Sequence, residues 1–422
     1  MRPTRSLQFR RSLNIAALAV AVAVFPLIWM GGLVTTHGAG LSVPDWPNSY
    51  GYNMFLFPPS QWLGGVFFEH THRLLGTLAG FLAILLTLVA WGPARTDTRR
   101  RVFGGLTIVF GALSALTIVV AILIAGSGIQ SEELKKNVQH IPVSFISLTL
   151  IFAMAYFCRR REEQRWIRWL TVIELSAICV QGLLGGLRVD LMNLTLAMIH
   201  GCFAQAVFAL TAFTALATSK WWNVDVYEFR LGSAGPKPLK VGLGLAILAT
   251  LVIYGQLIAG AIMRHKGAGL AIPTLPLAFG HWLPPMNTAD LDAANAVRSW
   301  KYELTPVTLG QMWMHFAHRV GAVCVTLAVL SEAIYVLICL RREGAATLSA
   351  VILLVLLPTQ VTLGILTVWL KKPADLTSLH VAVGALTLIT ASTSAAVLWR
   401  LLQRRRAMDV VPETEPATLA AA

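Results

Sequence analysis

Apolar runs of about twenty residues recur along this chain, broken by short polar segments in which Lys and Arg cluster. A helix needs about 20 apolar residues to cross the hydrocarbon of a bilayer. On that measure the pattern predicts ten membrane spans, at 13–33, 67–91, 103–126, 141–157, 169–188, 194–217, 241–263, 311–339, 346–369 and 377–399. The segments "RTDTRRR", "RRREEQRWIR" and the arginines at 404–406 fall on one side of the membrane if the N-terminus is cytoplasmic. Basic residues stay on the cytoplasmic side, so both termini are expected there. Arg2, Arg5, Arg10 and Arg11 precede the first apolar run without a convincing cleavage site after it, which predicts an uncleaved first span.

The pattern also repeats. "THGAGLSVPDWP" (36–47) returns as "RHKGAGLAIPTLP" (264–276), "HTHRLLGTLAG" (70–80) as "HFAHRVGAVCV" (315–325), and "VQGLLGGLRV" (180–189) as "TQVTLGILTV" (359–368). Three matches in one order predict two related four-helix halves. The spans at 103–126 and 141–157 have no counterpart and read as an inserted hairpin. The expected fold is an all-α polytopic membrane protein: two pseudo-symmetric four-helix bundles, at 1–220 and 221–407, with the hairpin inserted at 97–160. The Pro-, Glu- and Ala-containing stretch 408–422 is expected to be a disordered tail.

Composition agrees. Of 422 residues, 56% are hydrophobic and 13% charged, and the mean hydropathy is +0.67. The net charge of +14 lies in clusters between spans, which is orientation charge rather than a nucleic-acid face. The five cysteines show no CxxC spacing and read as small buried apolar residues.

Ten histidines are present, and the repeat singles out His72, His200, His318 and His380. Each lies four to seven residues inside a span that runs inward from the outer side, roughly 6–10 Å deep. Ionisable groups at such depth are costly and functional by default. Two facing imidazoles at matched depth are what a haem iron takes as axial ligands, and helix bundles build such sites from facing helices. Zinc fits less well, because no cysteine or third clear ligand accompanies either pair. His37, His70, His140, His265 and His281 read as interfacial or packing residues.

Glu69 precedes His72 by one turn, on the same helix face. Two readings stand: an acid–base or charge-stabilising group beside the ligand, or a solvated carboxylate favoured by the helix dipole. Its counterpart in the second half is His315. The halves therefore share ligands and differ in the acid, which suggests one reactive site and one electron-transfer site. Arg73 and Arg319 follow repeated histidines and are candidate partners for haem propionates, through bidentate bonds, or else snorkel to the interface. Gln181 and Gln360 read as interhelical hydrogen-bonding groups.

At these residues the chain resembles the haem A synthase family. "GLSVPDWP", "EHTHRLLG", "VQGLLGGLRV" and "MIHGCFAQA" are similar to its first-half motifs, and "HFAHRVGA" and "LHVAVGA" to its second. The resemblance implies an oxidoreductase of the inner membrane that converts the C8 methyl of haem O to the formyl of haem A for terminal oxidases. Two oxidations and loss of water from a gem-diol are implied. It also implies that His72 and His200 hold the substrate haem and that His318 and His380 hold a resident haem b as electron relay. Glu69 matches the family's essential glutamate. A haem O synthase, a quinol or other redox partner, membrane lipid and a second copy of the chain are the expected partners, and nucleic acid is not. Many members carry a cysteine pair in the first outer loop, where this chain has Val43 and Ser49, so no disulfide or thiol step is expected there. The competing classes are a di-haem cytochrome that only transfers electrons, which gives Glu69 no role, and a haem transporter, which paired axial ligands oppose.

Overall fold

The computed structural model describes residues 9–92, 96–126, 132–158, 161–223, 232 and 234–409. The expected tail lies almost wholly outside them. In chain order the α-helices are α1 (Arg11–Thr36), α2 (Gly65–Trp91), α3 (Asp97–Gly126), α4 (Glu132–Phe157), α5 (Arg165–Asp190), α6 (Leu194–Ala217) and α7 (Lys220–Asn223). They continue with α8 (Pro236–His265), α9 (Thr288–Tyr302), α10 (Leu309–Cys339), α11 (Gly344–Trp369) and α12 (Ala374–Asp409). Ten of these are long and apolar enough to span a membrane, and they coincide with the ten expected runs. The protein is a multi-pass all-α membrane protein.

Helices α1, α2, α5 and α6 pack on one another, and α8, α10, α11 and α12 do the same. The two groups meet where α1 and α6 face α12, with α6 also against α8. Small residues make the α1–α12 contact close: a Cβ at Gly32 would stand 3.1 Å from Cβ of Ser378, whose hydroxyl lies 3.2 Å from Thr36 Oγ1. Close backbone approach through small residues is how helices gain packing where lipid offers no hydrophobic drive. A polar tie reinforces it at the outer end, where Arg264 at the end of α8 donates to Gly32 O at 2.6 Å and to Thr36 Oγ1.

Helix α12 runs past its apolar stretch, through Arg400, Arg404 and Arg405. These donate to backbone carbonyls of Trp222, Trp221 and Ala234, at 2.9, 2.6 and 2.7 Å. The connection between the halves is thus bound to the last helix by arginines that the sequence offers only as orientation charge. The cysteines also depart from expectation. All five are free, but Cys179, Cys324 and Cys339 are exposed rather than buried.

Helices α3 and α4 pack chiefly on each other, through stacked Phe103–Phe152 and Phe110–Phe145 pairs with ring centroids 6.2 and 6.1 Å apart. The chain re-enters the first bundle where it left it, since Glu162 N–H donates to Ala90 O at 2.8 Å. Few groups would lose partners if the hairpin were removed. Replacing residues 93–160 with a short flexible linker is expected to leave thermal stability in detergent within about 1 kcal/mol of the parent. Circular dichroism checks this, and loss of the cooperative transition would contradict it.

Candidate functional site

The loops that lead from α1 to α2 and from α8 to α10 fold alike, although they differ in length. Each closes a small antiparallel bridge, Ser49 with Tyr52 and Ala278 with His281. Each bridge follows a side-chain oxygen that caps the turn. Asp45 accepts from the N–H of Tyr50 and Gly51 at 2.7 Å, and Thr274 Oγ1 accepts from Phe279 N at 2.8 Å. Tyr50 and Phe279 are the bulky residues at positive φ in these turns, +52° in both. The second loop is covered by α9, an amphipathic helix that the hydrophobic pattern misses because it never enters the membrane. Its Arg298, 2% exposed, donates to the carbonyls of Leu270, Ala271 and Thr305.

The first turn of each ligand-bearing helix pins the loop above it. Glu69 Oε2 accepts the Val43 N–H at 2.9 Å. In the second half His315 does the same work: its Nδ1 accepts the Ile272 N–H at 3.2 Å. Glu69 is 2% exposed, which removes the reading of a solvated carboxylate. Its other oxygen lies 3.1 Å from Arg73 Nη2 and 3.9 Å from Arg188 Nη2. Arg188, in the last turn of α5, carries no mark in the apolar pattern. What could have revealed it is the repeat, which places Thr367 at the matching position. Guanidinium and carboxylate are therefore both particular to the first half.

Arg73 corrects an expectation. Its Nη1 donates to Asp45 O and to Asn48 O at 2.8 Å, and its Nη2 to Val43 O at 2.8 Å and to Glu69. A guanidinium has four Nη hydrogens, and all are spent on the loop and the glutamate rather than held for a propionate. Arg319 makes one such bond, to Ile272 O at 2.6 Å, and its buried Nε has no partner. His70 is also not interfacial. It is fully buried, with Nδ1 3.1 Å from Ser49 Oγ and its ring 4.5 Å from that of Trp62. Val43 and Ser49, where a cysteine pair was sought, thus serve as direct partners of Glu69 and His70.

Below this layer lie the four repeated histidines. The rings of His72 and His200 face each other with centroids 6.3 Å apart and planes at 82°. Two imidazoles on opposite sides of one iron need about 2 Å from metal to nitrogen and about 1 Å more to each ring centre, a separation of roughly 6 Å. His318 and His380 are also close enough to interact electrostatically. His140 stands elsewhere, 3.4 Å from Asn53 in the first loop. Among the described residues no three of His, Cys, Asp or Glu come together as a metal cluster, so the pairs suit a group that supplies its own equatorial ligands.

Each imidazole rests against a glycine of the preceding helix. A Cβ at Gly31, Gly185 or Gly260 would stand 3.0 Å from Cε1 of His72, His200 or His318, and one at Gly364 would stand 3.1 Å from that of His380. One turn earlier on each of these helices is Leu27, Gln181, Gln256 or Gln360. His200 Nδ1 lies 3.1 Å from Gln181 O. A hydrogen bond there places the proton on Nδ1 and leaves Nε2 for a metal. His72 Nδ1 and His380 Nδ1 are buried without a full hydrogen bond.

A model of the cytochrome oxidase assembly protein family matches residues 141–392, more than half of the chain. The chain belongs to that family. His200, His318 and His380 fall within the matched residues, and Glu69 and His72 precede them. Among individual proteins, a haem A synthase of Nitrosospira multiformis is 30% identical over 183 residues, covering 43% of this chain and 48% of that protein. One of Shewanella oneidensis is 31% identical over 156 residues, covering 37% and 46%. One of Shouchella clausii is 23% identical over 327 residues, covering 76% of this chain and 83% of its own. The chain thus spans about half the length of the first two relatives and most of the third. For this family member, the asymmetry between the halves is the feature that a functional reading must explain.

Proposed function

We propose that this protein is a haem A synthase, an oxidoreductase that converts the C8 methyl of haem O to a formyl group. The observation that carries the proposal is the pairing of His72 with His200 beneath a buried Glu69 whose place in the second half is taken by His315. His72 and His200 hold the substrate haem by its iron, and the loop 37–64 closes over them. His318 and His380 hold a haem b, which when bound supplies a one-electron relay. Arg319, with its unpartnered Nε, is the remaining candidate for a propionate.

Glu69 is placed to accept protons released as the methyl carbon is oxidised. Its carboxylate already lies between two guanidinium groups, Arg73 and Arg188, which hold it in one position and offset the charge it carries. The buried loop contacts of Val43 and His70 keep bulk water from this layer. The site lies near the outer side of the inner membrane, with both termini in the cytoplasm, a reading that the clustering of basic residues in alternate loops supports. The substrate comes from a haem O synthase, and the electrons leave to a quinone-type or other redox partner.

Coexpression with a source of haem O is expected to yield haem A, identified by mass spectrometry of extracted pigment. Folded protein with haem O left unmodified refutes the proposal. The electron-carrier alternative is disfavoured because it gives the buried acid no role beyond its bonds to the loop and to Arg73.

A further inference from the structure

The four helices that precede the histidines share one device and break it once. Gln181 Nε2 donates to His200 O at 2.7 Å, and Gln256 Nε2 donates to His318 O at 2.8 Å. Gln360 turns its amide onto α12 at Gly384, one turn beyond His380, where a Cβ would stand 3.0 Å from Nε2. The fourth position is Leu27. Its Cδ1 lies 3.9 Å from where a Cβ would stand at Gly76, the corresponding place beyond His72. Gln181 and Gln256 therefore bond across to their ligand helices, Gln360 brings its amide close to α12 without such a bond, and α2 meets a methyl group of Leu27. In an apolar medium an interhelical hydrogen bond contributes about 0.6–2 kcal/mol, whereas a leucine contact there is matched by lipid or by any other apolar neighbour.

We propose that Leu27 makes His72 the yielding ligand, so that the first site admits and releases an iron porphyrin more readily than the second, where Gln256 bonds the ligand helix α10. This rests on the haem reading above and assigns positions that the reading leaves open. Glu69 and Arg73 sit on the same first turns of α2 as His72, so the helix that lets the porphyrin go is also the one that carries the acid. The glycine contact does not distinguish the four sites, since it recurs at all of them. The amide does.

The test uses the full-length protein in detergent, reconstituted with haemin, and follows transfer of haem to apomyoglobin. Two phases are expected from the parent, one for each site. Leu27→Gln should slow the faster phase about tenfold and leave the slower one unchanged. Gln256→Leu should speed the slower phase by a similar factor, and Leu27→Met, which offers no amide, should match the parent. Unchanged phases in folded Leu27→Gln that still shows the low-spin spectrum of paired imidazoles overturn the inference and leave the haem reading standing. A parent protein without that low-spin spectrum overturns both.

Discussion

Glu69→Gln is expected to lower haem A formation by two to three orders of magnitude while haem binding at both histidine pairs persists. The amide is nearly the same shape as the carboxylate, so one oxygen can still accept the Val43 N–H. What is lost is the charge and the basicity. Removing a positioned acid–base group or a charge-stabilising contact commonly costs 10²–10⁴-fold in rate. Burial makes the loss more severe, because a carboxylate that is 2% exposed has no solvent close by to take over its protons. Arg73 and Arg188 would then face each other across a neutral group. The measurement pairs haem O conversion, read by mass spectrometry, with the optical spectrum of the purified variant. Retained conversion within a few-fold of the parent would remove Glu69 from the chemistry. It would leave the residue only its structural bond to the loop.

The second large effect concerns folding. Arg73→Ala is expected to destabilise the protein by roughly 3–5 kcal/mol, the usual cost of removing one partner from a buried ion pair. The three carbonyls of Val43, Asp45 and Asn48 lose their donor together, and Glu69 is left beside Arg188 alone. The loop between α1 and α2 should become sensitive to limited proteolysis between residues 37 and 64. Arg319→Ala makes the useful contrast: it removes one carbonyl bond, worth about 1–2 kcal/mol. Thermal denaturation of both variants checks the difference. Equal stability of Arg73→Ala and the parent, with haem selectively lost, would instead return Arg73 to a role at the propionates.

The parts of the site that could be read without coordinates are those that repetition marks. His72, His200, His318 and His380 recur in the repeats, and the structure brings the rings of the first two to 6.3 Å, edge to face. Duplication of the loops could be read in the same way, from "GLSVP" and "GLAIP". Their conformation could not, because it depends on single side-chain oxygens, such as those of Asp45 and Thr274, finding backbone N–H groups several residues on. Arg188 was missed for a related reason. Its partner, Glu69, lies far away in the chain, and nothing local to "GGLRV" requires an ion pair. Helix α9 escaped because its apolar stripe is short and its length is below that of a span.

Hydropathy and charge bias alone determine that this chain crosses the membrane ten times, because transfer of apolar side chains from water is a sum over residues and needs no knowledge of neighbours. Internal repetition alone singles out His72, His200, His318 and His380 among the ten histidines. Tertiary structure decided the rest: that Glu69 is buried rather than solvated, that Arg73 serves the loop, and that Leu27 stands where the other ligand helices meet glutamines. Hydrogen bonds and ion pairs are directional contacts between groups brought together only by packing, so their partners become visible only once the helices are assembled.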